Sequence, residues 1–219
     1  SAGNYTITVK DANGCSSQLS VTVTQPVQLT AAISGRRDVS CSGKSDGELT
    51  ISANGGSAPY SYSIDGLNYQ SSAVFGGLQK GNYLIRIKDN NACVLQISGA
   101  VAEPAALQLQ VLQTSGIDCF GNASGKISIA GAGGSGAYTY TLNSLPARPS
   151  GVFDNLTAGT YLLSVSDANA CTARQSVTLQ QPALLQLSKQ VQQPGCSDAS
   201  NGSIALTPSG GVTPYTYSW

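Results

Sequence analysis

Apolar and polar residues alternate over short stretches of the chain. Tyr5, Ile7 and Val9 alternate with threonines in residues 5–9, and the same pattern returns in residues 19–23. Alternation with a period of two is typical of half-buried β-strands. The residues between these stretches are rich in Asp, Asn and Gly, which favour tight turns, so we predict a β-hairpin. Helical periodicity is absent from the sequence, which indicates an all-β protein.

The hairpin sequence recurs along the chain. Residues 3–15 run from Gly-x-Tyr to Asp-x-Asn-x-Cys, and the pattern returns at 81–93 and 159–171, at intervals of 78 residues. Ala92 and Ala170 stand where the first copy has a glycine before the cysteine. A constant interval of this length indicates tandem structural units.

Prolines mark the boundaries of these units. Pro26, Pro104 and Pro182 are 78 residues apart, and proline cannot donate a hydrogen bond to a β-ladder. We therefore predict the C-terminal part of a truncated repeat at 1–26, complete repeats at 27–104 and 105–182, and the N-terminal part of a truncated repeat at 183–219. Some exposed apolar surface is expected on both partial repeats.

Each repeat contains further strand and turn signals. A loop with a cysteine (41, 119 or 196) precedes a new strand, and a Gly-Gly pair then leads into a strand with two tyrosines. About seven strands per repeat, with turn signals about every 8–12 residues, predict a tandem array of immunoglobulin-like β-sandwich modules of about 78 residues. The expected framework aromatics are Tyr5, Tyr83, Tyr161, Tyr60, Tyr138, Tyr215 and Trp219.

Charge and hydropathy exclude several kinds of partner. Charged residues make up 10% of the chain, with 11 basic against 11 acidic. No basic field exists to bind nucleic acid, so no nucleic-acid partner is expected. No apolar run approaches the roughly 20 residues that a membrane helix needs, so no membrane insertion is expected in this segment.

Catalytic chemistry has few candidates. The chain has no histidine, which removes the commonest general base. Asp46, Glu48 and Asp65 are the carboxylates that would serve a glycosidase pair. They lie in Gly-rich turns, where aspartate is favoured for hydrogen bonding to the backbone. We predict no catalytic residue and no enzyme activity.

Metal binding is also disfavoured by the sequence. A recurring aspartate (11, 89 or 167) is followed two residues later by asparagine, but two oxygen ligands per turn fall short of the six to eight that calcium takes. No Cys-x-x-Cys pair occurs, and no histidine completes a thiolate set. We interpret these aspartates as turn residues and predict neither a metal site nor a cofactor.

The paired strand tyrosines have two interpretations. They are either core residues or a face on which sugars stack, because an aromatic ring offers an apolar plate with a polar edge. The core is the commoner place for such residues. The tyrosines concerned are Tyr60, Tyr62, Tyr138, Tyr140, Tyr215 and Tyr217.

These motifs together resemble a known family. Cys-x-Gly-x-x-x-Gly, a strand, Gly-Gly, Pro-Tyr-x-Tyr-Ser-Trp, Leu-x-x-Gly-x-Tyr, Asp-Ala-Asn-Gly-Cys and a closing Gln-Pro are similar to the SprB repeat, and the resemblance extends over the whole chain. The family occurs in very long cell-surface adhesins and gliding-motility proteins of Bacteroidota. The resemblance implies a secreted, surface-exposed filament or stalk, and it does not identify a ligand.

The cysteines fit structural disulfides, which small extracellular domains commonly use. Pairing within each repeat is favoured, as Cys41–Cys93 and Cys119–Cys171, because the polar loop would carry its cysteine back along the edge of the sandwich. The alternative is Cys41–Cys171, a link between consecutive repeats, because immunoglobulin order places the loop and the turn at opposite poles.

Two functions stay open from the sequence. The first is a structural and adhesive repeat, with neighbouring repeats of the same chain as partners and a surface polysaccharide or other cell-surface molecule as ligand. The second is a carbohydrate-binding accessory module of a secreted polysaccharide-degrading enzyme. Both place the protein outside the cell or at its surface.

Overall fold

A computed structural model describes residues 1–197 and 200–219, and every regular element in that part of the chain is a β-strand. Residues 198 and 199, in the third cysteine loop, lie outside the described part. The chain divides into two compact units, Ser1–Glu103 and Pro104–Trp219. The proposed boundaries of the four repeat segments stay a prediction.

Each unit contains eight named strands. In the first unit they are β1 (Gly3–Lys10), β2 (Ser16–Val23), β3 (Thr30–Arg37), β4 (Gly47–Asn54), β5 (Ser61–Ser63), β6 (Val74–Leu78), β7 (Gly81–Lys88) and β8 (Val94–Val101). In the second they are β9 (Gln108–Ser115), β10 (Gly125–Ala132), β11 (Thr139–Leu142), β12 (Val152–Leu156), β13 (Gly159–Ser166), β14 (Thr172–Leu179), β15 (Gln186–Gln192) and β16 (Ser203–Ser209).

A complete sandwich lies in each unit. Its two antiparallel sheets have the orders β3-β4-β6 and β5-β7-β8 in the first unit, and β9-β10-β12 and β11-β13-β14 in the second. The predicted all-β, immunoglobulin-like fold is therefore confirmed. Each described sandwich has six named strands rather than about seven, because the segment after β5 is mostly irregular and returns to the sheet at one bridge, Tyr62 with Gln70.

The core lies between the two sheets of each sandwich. Alternation brings Leu49 of β4 against Ile85 and Ile87 of β7, and all three side chains are fully buried. Ile127, Leu163 and Val165 fill the same places in the second unit. Aliphatic side chains that lose all contact with water supply the main stabilising term, about 1.5–3 kcal/mol each.

The first residue of β4 and the first residue of β10 need to be glycine, because a side chain of the facing sheet lies close to each. A Cβ placed on Gly47, at the start of β4, would lie 2.6 Å from Cγ1 of Val101. Gly125 of β10 stands in the same relation to Leu179, at 2.7 Å. These contacts explain why β4 and β10 each begin with a glycine, since a side chain there would collide with the facing sheet.

Among the described residues, two further hairpins have no facing sheet within their own unit. β1 pairs with β2, and β15 pairs with β16, and each pair forms a separate two-stranded sheet. Every residue of β1 and β2 is exposed, including the apolar residues on the side that is buried in the complete repeats. The expected apolar surface is therefore present on both hairpins.

The turn before the last strand of each repeat contains a residue with positive φ. Gly14 has φ of 84°, whereas Ala92 and Ala170 have φ of 63° and 60° at the same position. A residue with a Cβ pays about 1–2 kcal/mol for the left-handed conformation.

We predict that Ala170→Gly raises the free energy of unfolding of the second sandwich. Glycine removes the left-handed penalty but adds about 0.4–1 kcal/mol of unfolded-state freedom, so the net gain is roughly 0.5–1 kcal/mol. Urea unfolding measures it. Ala168→Gly is the matched control, because Ala168 lies in the same turn outside the left-handed region, and it should lower stability. If Ala170→Gly and Ala168→Gly changed the free energy of unfolding equally, the left-handed conformation of Ala170 would not be the cause, and the prediction would be contradicted.

Candidate functional site

The Gly-x-Tyr tyrosines anchor the chain just before a strand of the hairpin. The hydroxyl of Tyr83 donates to the carbonyl oxygen of Gln79 at 2.7 Å, and Tyr161 donates to that of Thr157 at 2.8 Å. Tyr5 makes the same bond to the residue four positions upstream. Hydroxyls that bond back to upstream backbone are also a hallmark of immunoglobulin-like sandwiches.

The first tyrosine of each strand pair has an equally constant partner. Tyr60, Tyr138 and Tyr215 each donate, at 2.6 Å, to the carbonyl oxygen of the first glycine in the preceding Gly-Gly pair. That glycine turns with positive φ in all three copies. The hydroxyl therefore holds the Gly-Gly turn against the strand that follows it.

The second tyrosine of each complete repeat is buried. Tyr62 and Tyr140 belong to the cores of their sandwiches, and burial, together with the neighbouring Tyr60, raises the pKa of Tyr62. Tyr217 and Trp219 of the third copy are exposed, Trp219 to 92%. In the complete repeats these strand tyrosines thus serve the core, and they present no row of rings to a sugar.

An aspartate organises the turn between the last two strands. Asp89 accepts backbone N–H bonds from Asn91 and Cys93 through Oδ1, and from Ser57 through Oδ2. The amide of Asn91 donates to the hydroxyl of Ser57 at 2.8 Å. The second unit repeats these contacts through Asp167, Asn169 and Ser135.

These contacts leave the aspartate oxygens directed at the backbone. Burial of the Asp89 carboxyl tends to raise its pKa, but the N–H donors of Ser57, Cys93 and Asn91 outweigh burial and leave the pKa below its ordinary value. Three N–H donors thus stabilise the charged form without a cation. Within the described residues, no group of three or more His, Cys, Asp or Glu side chains is placed to hold a metal ion.

The cysteine loop is held at the opposite pole of the sandwich. Asp46 accepts from the backbone and hydroxyl of Ser40, and these bonds lower its pKa. In the second unit Asp118 fills this role from the other side of the loop, because its Oδ1 accepts from Ser124 and Asn122.

A second clamp on this loop comes from the residue before the boundary proline. Glu103 accepts from the N–H of Gly43 at 2.9 Å and from Lys80 at 2.7 Å, and both contacts lower its pKa. Gln181 accepts from Gly121 in the same way. This contact was not predicted from the sequence, although Gln or Glu recurs before each boundary proline and signals it.

The three carboxylates considered for catalysis have separate structural partners. Asp46 binds Ser40, as described above, and the half-buried Glu48 lies 3.5 Å from Arg37. Asp65 accepts from the backbone of Leu67 and Asn68 and from the hydroxyl of Ser63. Each therefore has a place in a turn or on a strand that needs no catalytic explanation.

The cysteines differ from the favoured pairing. Cys93 and Cys119 are free thiols, as are Cys15 and Cys196, so neither predicted bridge within a repeat forms. Cys41 and Cys171, the two cysteines of the alternative pairing, are disulfide-bonded.

The distance between the two poles of the sandwich explains why Cys41 and Cys93 do not form a bridge. Cys93 directly precedes β8, and the other end of β8 meets the cysteine loop, where the N–H of Val39 donates to Ala102. An eight-residue strand spans about 23 Å at 3.3 Å per residue. Bridged cysteines need Cα atoms within about 7 Å, so the loop cannot carry Cys41 back to Cys93.

Comparison with known families agrees with this recurring framework. The SprB repeat model matches residues 37–68, 112–146 and 188–219. The chain carries SprB repeats. Each match covers the cysteine loop, the strand after it and the tyrosine pair, while the Gly-x-Tyr hairpin lies outside the matched stretches. The suspected family is thus confirmed, over three stretches rather than over the whole chain.

Other comparisons add little to the SprB assignment. No curated protein matches the chain. A similar solved structure is a C-terminal 282-residue fragment of intimin in complex with the intimin-binding domain of its translocated receptor, with 16% identity and a TM-score of 0.33. The similarity covers 83% of this chain and 58% of the intimin fragment. Over the described residues, no helix could span a membrane.

We predict that acid weakens the first SprB sandwich through Asp65. Asp65 accepts hydrogen bonds from the backbone N–H groups of Asn68 and Leu67, and from the side chains of Asn68 and Ser63. These bonds hold the pKa of Asp65 well below its ordinary value of 3.8. A lowered folded-state pKa contributes stability above about pH 4 that is lost as pH falls further. Urea unfolding should therefore show the advantage of the wild type over Asp65→Asn shrinking towards pH 2.

The second repeat supplies the controls for this experiment. Asn143 already stands at the position of Asp65, so the second sandwich lacks this carboxylate. Asp154→Asn, at an exposed site, tests whether any lost charge has the same effect. A wild-type advantage over Asp65→Asn that is constant from about pH 6 to pH 2 would contradict the prediction.

We predict that iodoacetamide labels the native, unreduced protein at Cys15, Cys93, Cys119 and Cys196 and spares Cys41 and Cys171. The first four are exposed free thiols, whereas a disulfide-bonded sulfur cannot be alkylated. Peptide mass spectrometry reads out each site, and labelling after reduction is the control. A disulfide-linked peptide that contains Cys93 or Cys119 would overturn the assignment.

Proposed function

We propose that this chain is a structural and adhesive repeat segment of a long secreted cell-surface protein, of the adhesin or gliding-motility kind. The observation that carries the proposal is the repetition of one sandwich whose distinctive side chains all serve folding. Tyrosine hydroxyls, turn aspartates and the loop clamps bind the backbone of their own repeat. A module with these properties supplies length and spacing rather than chemistry.

The tandem arrangement of the repeats supports a role in extending the protein away from the cell surface. The repeats recur at 78 residues, and the loop clamps Glu103 and Gln181 lie directly before Pro104 and Pro182. A short junction that follows a fixed contact limits the freedom between modules. In this proposal the neighbouring repeats are the main partners, and the array is a non-catalytic stalk that carries a binding region away from the cell surface.

We predict that electron micrographs of concatenated 27–182 segments show rods whose length grows by a constant increment per repeat. Short proline-containing junctions should hold each module at a fixed angle to the next. Inserting a flexible Gly-Ser linker after Glu103 is the control and should produce bent particles. Beads at random angles in the parent array would contradict the stalk.

The carbohydrate-binding alternative is less well supported by the contacts. The strand tyrosines of both complete repeats are buried or bonded to glycine carbonyls. Aromatic binding sites for sugars require exposed ring faces. We therefore expect the 219-residue chain to bind no ligand on a glycan array. Binding that disappears in the Trp219→Ala variant would favour the accessory-module function instead.

A further inference from the structure

Asn54 is the last residue of β4, and the Gly-Gly turn of the first sandwich follows it directly. The residue is exposed to solvent. The other two copies of the repeat have Ala132 and Ser209 in front of their Gly-Gly pairs. The first sandwich therefore carries an asparagine–glycine step that the other copies lack at this place.

The side chain of Asn54 is in contact with the next nitrogen of the main chain. The N–H of Gly55 donates to Oδ1 of Asn54 at 2.8 Å. Cγ is one carbonyl bond of about 1.2 Å from that oxygen, so it lies within about 4 Å of the nitrogen. Reacting atoms in a near-attack arrangement are about 3–3.5 Å apart. A small rotation of the side chain therefore brings Cγ within reach of the Gly55 nitrogen.

The turn requires glycine after Asn54. Gly55 has φ of 74°, a conformation that favours glycine. A Cβ on Gly55 would lie 2.1 Å from the carbonyl oxygen of Gln28. Glycine also has no side chain to crowd a ring that closes through its own nitrogen. The fold thus keeps in place the residue that makes this step reactive.

Another asparagine of the same sandwich has the opposite arrangement. Asn91 is followed by Ala92, whose N–H donates to the backbone carbonyl oxygen of Asp89 at 3.0 Å. The side-chain amide of Asn91 donates to the hydroxyl of Ser57 at 2.8 Å. At Asn91 both groups that would have to react with each other are therefore engaged elsewhere.

We propose that Asn54 is a self-modification site, at which the backbone nitrogen of Gly55 displaces the side-chain amide. Hydroxide removes the N–H proton, the nitrogen bonds to Cγ, and the C–N bond of the side-chain amide breaks. The amide nitrogen leaves as ammonia, with a proton taken from water, and a succinimide ring remains. Water then adds to either carbonyl carbon of the ring, which opens to aspartate or isoaspartate. This inference does not depend on the proposed stalk function.

Isoaspartate lengthens the main chain by one methylene group directly before the turn. The turn has little room for it, because Gly55 lies close to the backbone of Gln28. The carbonyl oxygen of Gly55 also accepts the hydroxyl of Tyr60 at 2.6 Å. The isoaspartate product therefore destabilises the first sandwich, whereas an aspartate at this position leaves the length of the main chain unchanged.

The Ala92→Gly variant tests the site against a matched step in the same sandwich. It creates a second asparagine–glycine step at residues 91 and 92, and the positive φ of Ala92 accommodates glycine. The variant is incubated in mildly alkaline buffer, and peptide mass spectrometry follows the conversion of each amide to an acid. In the folded protein Asn54 should react at least about tenfold faster than Asn91, because the hydrogen bonds of Asn91 must first break. In concentrated urea the two rates should become equal.

Two results of this experiment would overturn the proposal. One is a rate at Asn91 that equals or exceeds the rate at Asn54 in the folded protein. The other is a rate difference that persists in urea, because the fold would then not be its cause.

Asn54→Ala is the matched control for the effect on stability, since Ala132 is the residue that the second repeat has at this place. After the same incubation, the first sandwich of the wild type should unfold at a lower urea concentration than before. The unfolding of Asn54→Ala should be unchanged, and unaged Asn54→Asp should be more stable than the isoaspartate product. Isoaspartate at position 54, quantified by enzymatic methylation, without a change in urea unfolding would overturn the predicted destabilisation.

Discussion

Burial of aliphatic side chains between two sheets is the interaction on which each repeat depends. Ile85 and Ile87 lose all contact with water because Leu49 and its neighbours face them from the other sheet. Their counterparts in β1 have the same strand partner and register, yet stay exposed. A hairpin alone is marginal in water. The difference in exposure between Ile85 and Ile87 and their counterparts in β1 therefore shows how much burial the second sheet contributes.

Polar contacts at the two poles determine how the strands connect. At one pole Asp89 and Asp167 gather backbone N–H groups of the last turn and of the Gly-Gly segment. At the other, Glu103 and Gln181 bind the N–H of a loop glycine. The same backbone bond is made by a charged side chain in one repeat and by a neutral one in the other. The geometry of the acceptor thus matters more than its charge.

The sequence predicted the fold well because strand alternation, turn residues and a period of 78 all agree. It also predicted the turn role of Asp89, since Asp and Asn side chains favour hydrogen bonds to the backbone of a tight turn. The pairing of Cys41 with Cys93 was wrong because it depended on the path of a loop, and local patterns do not encode that path. Six strands instead of seven reflect the segment after Ser63, where apolar alternation is weak.

Hydrogen exchange tests most directly whether a repeat needs both halves of its core. In dilute solution, the amides of Ile85 and Ile87 should exchange orders of magnitude more slowly than those of Ile7 and Val9, although both pairs lie in the same kind of hairpin. Opening of the buried pair requires unfolding of the sandwich, whereas the exposed pair opens locally. Equal protection of the two hairpins would contradict the account, because the facing sheet would then add nothing to stability.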